Sequence, residues 1–157
     1  MTDRTLATLS VSPGRRLLGV GSLWLLAFLV LYVAVARPPA IGWQIFLTIF
    51  GLGAVYIGEQ LRRSTRTTLE LTETALLDST GETLADLDDI EKADRGMFAF
   101  KPSNGFLLRT KTKGRFAWKP GVWWRIGRQI GVGGMTSAAQ AKAMSEIIAV
   151  KLAQRDD

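Results

Sequence analysis

Five cations stand close together late in the chain: Arg109, Lys111, Lys113, Arg115 and Lys119. On an extended strand the side chains alternate, so Arg109, Lys111 and Lys113 share one face. Lys113-Gly114 reads as a turn that folds Arg115 to Lys119 back as a second strand, giving a basic β-hairpin. Such an array attracts anions, and beside an anionic bilayer each Lys or Arg is worth ~1 kcal/mol. Three other groupings imitate chemistry less well. The acidic run from Asp86 to Glu91 lacks the glycine at the sixth position and the 12-residue ligand spacing of a calcium loop. It reads as a solvated strand edge or as counter-charge for the basic strands. Gly131-Val132-Gly133-Gly134 opens a helix as a phosphate cradle does, but no lysine follows in the P-loop position. Trp118, Trp123 and Trp124, interleaved with Lys119, Arg125 and Arg128, imitate a base-stacking surface. Core and membrane-facing aromatics account for them more simply, so no nucleic acid is expected.

What is missing narrows the chemistry further. The 157 residues contain no histidine and no cysteine. The commonest general base, the commonest metal ligand and every thiol nucleophile are thereby removed. The carboxylates lie in one exposed-looking segment, where no acid–base pair can be placed. The expectation is a protein with no catalytic residues, no metal and no cofactor. The net charge of +6 is polarised: Glu70 to Asp94 holds nine acids and one base, and Arg95 to Arg128 holds nine bases and no acid.

The element that must position all this is a pair of apolar stretches, Leu17–Ala36 and Ile41–Gly58, joined by Arg37-Pro38-Pro39-Ala40. Neither contains a charged residue. Roughly 20 apolar residues in a helix cover the ~30 Å hydrocarbon core, and the link allows only an antiparallel return. The expectation is a transmembrane hairpin over residues 17–58. A cleavable signal is disfavoured by the length of the first run and by the second that follows at once. Arg4, Arg15 and Arg16 precede the hairpin and Arg62, Arg63 and Arg66 follow it, so both termini should face the cytoplasm. Gly51, Ala54 and Gly58 are the candidate helix-packing residues, with Ala54-xxx-Gly58 presenting two small residues on one face. Trp24, Tyr32, Trp43 and Tyr56 include candidate interface anchors, and Gln44 and Thr48 candidate bonds to another helix. Residues 59–66 form a basic connector whose Arg62, Arg63 and Arg66 face the headgroups.

Residues 1–16 form an N-terminal tail, loosely held over Met1–Pro13. From residue 67 the period changes to two, and turn signals at Ser79-Thr80-Gly81-Glu82, Pro102-Ser103-Asn104-Gly105, Lys113-Gly114 and Pro120-Gly121 punctuate it, as in an antiparallel β domain. Met97–Phe100 is one short apolar strand in that series. A helix over residues 137–154 follows, with Ser137 and Gln140 as a capping box and Ala141, Met144, Ile148 and Leu152 as its apolar stripe. Residues 66–155 resemble the pleckstrin-homology-like domain, here in its bacterial form: Leu71-Thr72 ends a strand, Ala75-Leu76-Leu77 is a short apolar strand, Gly81 turns, and an acidic segment ends in Asp89-Ile90. In that group such domains often follow a two-helix membrane hairpin. The resemblance implies a PH-like β domain, capped by its C-terminal helix, that binds or scaffolds. The expected role is an accessory protein of the inner membrane docking on or helping assemble a larger membrane complex. The alternative is contact with anionic headgroups through the basic hairpin.

Overall fold

The computed structural model describes residues 4–94 and 103–156, and the chain divides into two compact units. One is Pro13–Arg63; the other joins Met1–Ser12 to Ser64–Asp157. The expected strand at Met97–Phe100, Arg95 of the basic half and Pro102 of the expected turn lie outside the described residues.

The first unit holds two helices, α1 (Pro13–Ala36) and α2 (Ile41–Ser64). Pro13 suits the first helical position, where the missing N–H would have had no partner. Both helices are long and apolar enough to cross a membrane. They meet along a narrow seam. On α1 the buried residues Val20, Ala27 and Ala34 recur every seventh position; on α2 Gly51, Ala54, Gly58 and Leu61 follow alternating steps of three and four. That is the spacing of an antiparallel pair packed knobs into holes. A Cβ on Gly51 would stand 2.6 Å from Leu31, and one on Gly58 2.7 Å from the Trp24 indole. Small residues therefore let the hairpin close on itself. Gln44 donates to the Ala34 carbonyl at 3.1 Å and Thr48 to the Gln44 carbonyl at 2.7 Å, so both of these polar side chains are used inside the pair. Away from the seam the surface is apolar and bare, with Leu17, Phe28, Ile41 and Ile49 among its exposed residues.

The second unit is two antiparallel sheets and a helix. Its first sheet contains β1 (Ala7–Leu9), β2 (Leu69–Leu71), β3 (Ala75–Asp78) and β4 (Thr83–Asp86), in that order. The second contains β5 (Ile90–Asp94), β6 (Phe106–Thr110), β7 (Ala117–Lys119), β8 (Trp123–Ile126) and β9 (Gln129–Val132), in the order β5-β6-β9-β8-β7. Their inner faces share one core, in which Leu9, Leu69, Leu71, Leu76, Phe106, Leu108, Ile130 and Val132 are fully buried. Three of the expected turns sit where the sequence puts them. Gly81 (φ 86°), Asn104 (φ 55°) and Gly121 (φ 78°) each take the left-handed conformation. Lys119-Pro120-Gly121-Val122 is closed by a 3.1 Å bond from Val122 N to the Lys119 carbonyl, with Pro at the second position and Gly at the third, as a type II turn requires.

Two expectations are corrected here. The N-terminal segment is no loose tail: β1 pairs with β2 in the register Ala7↔Leu71, Thr8↔Glu70, Leu9↔Leu69, and buries Leu9 completely. Gln140 does not complete a capping box. Its side chain accepts from Ser10 N at 3.1 Å, while the Ser137 amide goes to the Ser10 carbonyl. The final helix, α3 (Ala138–Asp156), buries Ala141, Met144 and Ile148 and packs against β1, β5 and β6, closing that end of the core.

Candidate functional site

The basic residues are the place to begin, and the strand order separates them. Arg109 lies on β6 and Lys119 on β7, yet β9 and β8 run between those strands. The residues from 111 to 116 are therefore a crossing connection, and the basic β-hairpin expected from Lys113-Gly114 does not exist. The local reason is that Gly114 is not a hairpin turn. Its amide bonds the Gly127 carbonyl at 2.9 Å, and a Cβ there would stand 1.9 Å from the Arg125 guanidinium. Glycine is required because Arg125 passes over it on the way to the Leu84 carbonyl, which it reaches at 2.7 Å.

Cross-strand partners point to the same face of a sheet. Lys119↔Trp123↔Val132↔Phe106 is thus an inner row, since Phe106 and Val132 are core residues. Lys119, proposed from sequence as a headgroup contact, points into the domain. It bonds the carboxylate of Asp78 on β3 and stands 3.0 Å from Glu82 in the β3–β4 turn. Its ammonium also lies 5.8 Å from the Trp123 ring centroid. The Asp78 side chain is wholly buried and takes further bonds from the Thr80 amide and hydroxyl. Burial pushes the Asp78 carboxyl up, but the bonds from Lys119 and Thr80 outweigh it and hold the group below its ordinary value. Burial likewise pulls the Lys119 ammonium down, and bonding to Asp78 and Glu82 more than reverses this. Fixed geometry and opposed charges make this pair a clasp between sheets rather than an acid–base couple.

The remaining cations divide in the same way. Arg109 stands 3.6 Å from Glu91, which also takes Arg128 at 3.1 Å. Lys111 donates to the Asp88 carbonyl at 2.8 Å. The acidic run serves the same crossing: Asp89 accepts from the Thr112 amide at 3.0 Å and its hydroxyl at 2.7 Å. Arg62 and Arg63 share Glu59, each at 2.7 Å. Among the candidates only Lys113, Arg115 and Arg66 are exposed and make neither an ion pair nor a side-chain hydrogen bond among the described residues.

The tryptophans do not form one stacking surface. Trp123 is buried on the inner face, whereas Trp118↔Trp124↔Gly131 is an outer row. A Cβ on Gly131 would stand 2.3 Å from the Trp124 indole, so the glycine makes room for that ring. The glycine run ending at Gly134 holds no anion cradle: the Gly133 and Gly134 amides bond the Val122 and Ser103 carbonyls, each at 2.7 Å. Among the described residues no three carboxylates gather as a metal site.

A feature the sequence concealed is where the helical unit joins the β unit. Ser64, at the return point, donates to the Pro120 carbonyl at 2.6 Å. Val11, before the departure point, bridges to Thr136, and the neighbouring Met135 amide bonds the Gly121 carbonyl at 2.9 Å. Chain departure and return thus both lie beside the Pro120-Gly121 turn. Comparison with protein-family models, curated proteins and solved structures yields no match for the chain.

Proposed function

We propose that this is a non-enzymatic integral protein of the inner membrane whose β unit, a PH-like module, docks on or helps assemble a larger membrane complex. The observation that carries the reading is β1. The strand before the hairpin pairs with the strand after it, so one domain receives both ends of the two helices. A chain that leaves a folded unit, runs through two bilayer-length apolar helices and returns to the same unit must keep both hairpin ends on one side. Arg15, Arg16, Arg62 and Arg63 at those ends favour the cytoplasmic side.

Several polar side chains among the described residues have structural partners, which supports a non-catalytic reading. Asp78, Glu82 and Lys119 join the sheets, and Asp89 with Thr112 fixes the crossing connection. A doubly tethered β unit suits recognition. Purification of the full chain from native membranes in mild detergent should bring down another integral membrane protein in fixed ratio. Recovery as a lone monomer, or a proteolytic pattern placing the β unit outside the cell, refutes the reading.

A further inference from the structure

The outer face of the second sheet is unusual where β7 and β8 pair. Trp118 and Ile126 are 52% and 58% exposed, and Phe116, just before β7, is 70% exposed. Trp118 lies beside Trp124, and Ile126 follows on the same face two residues along β8. Lys113 and Arg115, also exposed and without an ion pair among the described residues, precede this cluster directly. We infer that this face, Phe116, Trp118 and Ile126 with Lys113 and Arg115, rests in the headgroup layer of an anionic bilayer.

The occupant follows from the chemistry and the tether. A tryptophan, a phenylalanine and an isoleucine beside exposed cations are the combination that enters the interface, rings among the acyl ends and charges at the phosphates. A protein partner's face would more often offer counter-charges buried with the cations. The tether is local: β7 ends at Lys119, and the next residue, Pro120, accepts the bond from Ser64 where the chain returns from the helices. Only a few residues at about 3.3 Å each separate that point from Trp118 and Phe116. A surface held so near lipid meets it at a high effective concentration, so even a weak patch stays engaged. Unlike the basic hairpin expected from sequence, this surface uses Lys113 and Arg115 and leaves Lys119 to the core. The inference rests on the hairpin's lying in the bilayer.

The cysteine-free chain allows a direct test. Full-length Phe116→Cys, Trp118→Cys and Ile126→Cys proteins carry a spin label in phosphatidylcholine vesicles with and without phosphatidylglycerol. Ala149→Cys, exposed on α3, is the aqueous control, and Leu29→Cys, inside the apolar stretch of α1, reports the hairpin. Collisions with oxygen and with a water-soluble nickel chelate measure immersion. Expected is a several-fold higher oxygen-to-nickel ratio at 116, 118 and 126 than at 149 when phosphatidylglycerol is present. A Lys113→Glu, Arg115→Glu pair should return the label at 118 to the control value. Control-like values at all three sites with Leu29→Cys immersed overturn the inference and leave the hairpin standing. A water-exposed Leu29→Cys overturns both. Shielding from both reagents that vanishes when the protein is diluted in lipid assigns the face to a second copy and also overturns it.

Discussion

Replacing Lys119 with methionine should destabilise the β unit far more than the loss of one surface charge would. Asp78 has no exposed side-chain surface, and without Lys119 its carboxylate keeps only the Thr80 amide and hydroxyl. Removing one member of a buried pair costs about 3–5 kcal/mol, because the survivor stays charged and uncompensated. Lys119 retains 24% side-chain exposure, so water reaches part of the clasp and the lower end, about 3 kcal/mol, is expected. The reciprocal Asp78→Ala should cost less, since Lys119 keeps Glu82 at 3.0 Å. The pH dependence separates this account from a simple packing defect. In the natural chain Asp78 is held below 3.8, so its contribution is present above that pH and lost as pH falls through the lowered folded value. In Lys119→Met burial acts with only Thr80 opposing it, and the folded carboxyl should rise above its unfolded value. Stability then falls as pH increases through the raised value, the opposite sign. Urea unfolding of the full chain in micelles, followed by tryptophan emission from about pH 2 to 7, measures both effects. A loss under about 1 kcal/mol, or an unchanged pH slope, refutes the clasp as an energetic element.

Two further outcomes follow from close packing. Gly105→Ala places a Cβ 1.8 Å from the backbone oxygen of Val132, which cannot swing aside, so urea unfolding should show a loss of about 3 kcal/mol or more; a loss below 1 contradicts the β6–β9 approach. Gly51→Val or Gly58→Val should loosen the hairpin by about 1–3 kcal/mol as Leu31 or Trp24 is displaced, read as unfolding at lower dodecyl sulfate. Unchanged resistance at both positions rules out the α1–α2 seam.

The helical pair was legible because length and lack of charge are one-dimensional properties; neither depends on a distant partner. The turns at Gly81, Asn104 and Gly121 were legible for the same reason, each being set by φ preferences over a few residues. Three things were hidden. Ala7–Leu9 is too short to announce a strand, and its partner Leu69–Leu71 lies beyond the whole hairpin. Strand order was hidden because Lys113-Gly114 has the composition of a turn, while its glycine answers to Arg125, eleven residues on, in a part of the chain no local pattern connects to it. The direction of Lys119 was hidden too: alternation says which residues share a face, not which face is inside, and a lysine gives no apolar hint. Trp118 and Trp123 differ in exposure for that reason, although as residue types they are the same.

The pairing of β1 with β2 also has a bearing on biosynthesis. Residues 7–9 leave the ribosome before either helix, yet their partner at 69–71 follows both. Closing that long loop carries an entropic cost that an antiparallel helix pair reduces by returning the chain beside its own start. If a single helix crossed without its mate returning, Leu9 and Leu69 would be stranded on opposite sides of the bilayer, and the core of the β unit would lack a strand. If the two helices span a bilayer, completion of this fold would therefore require both of them to cross.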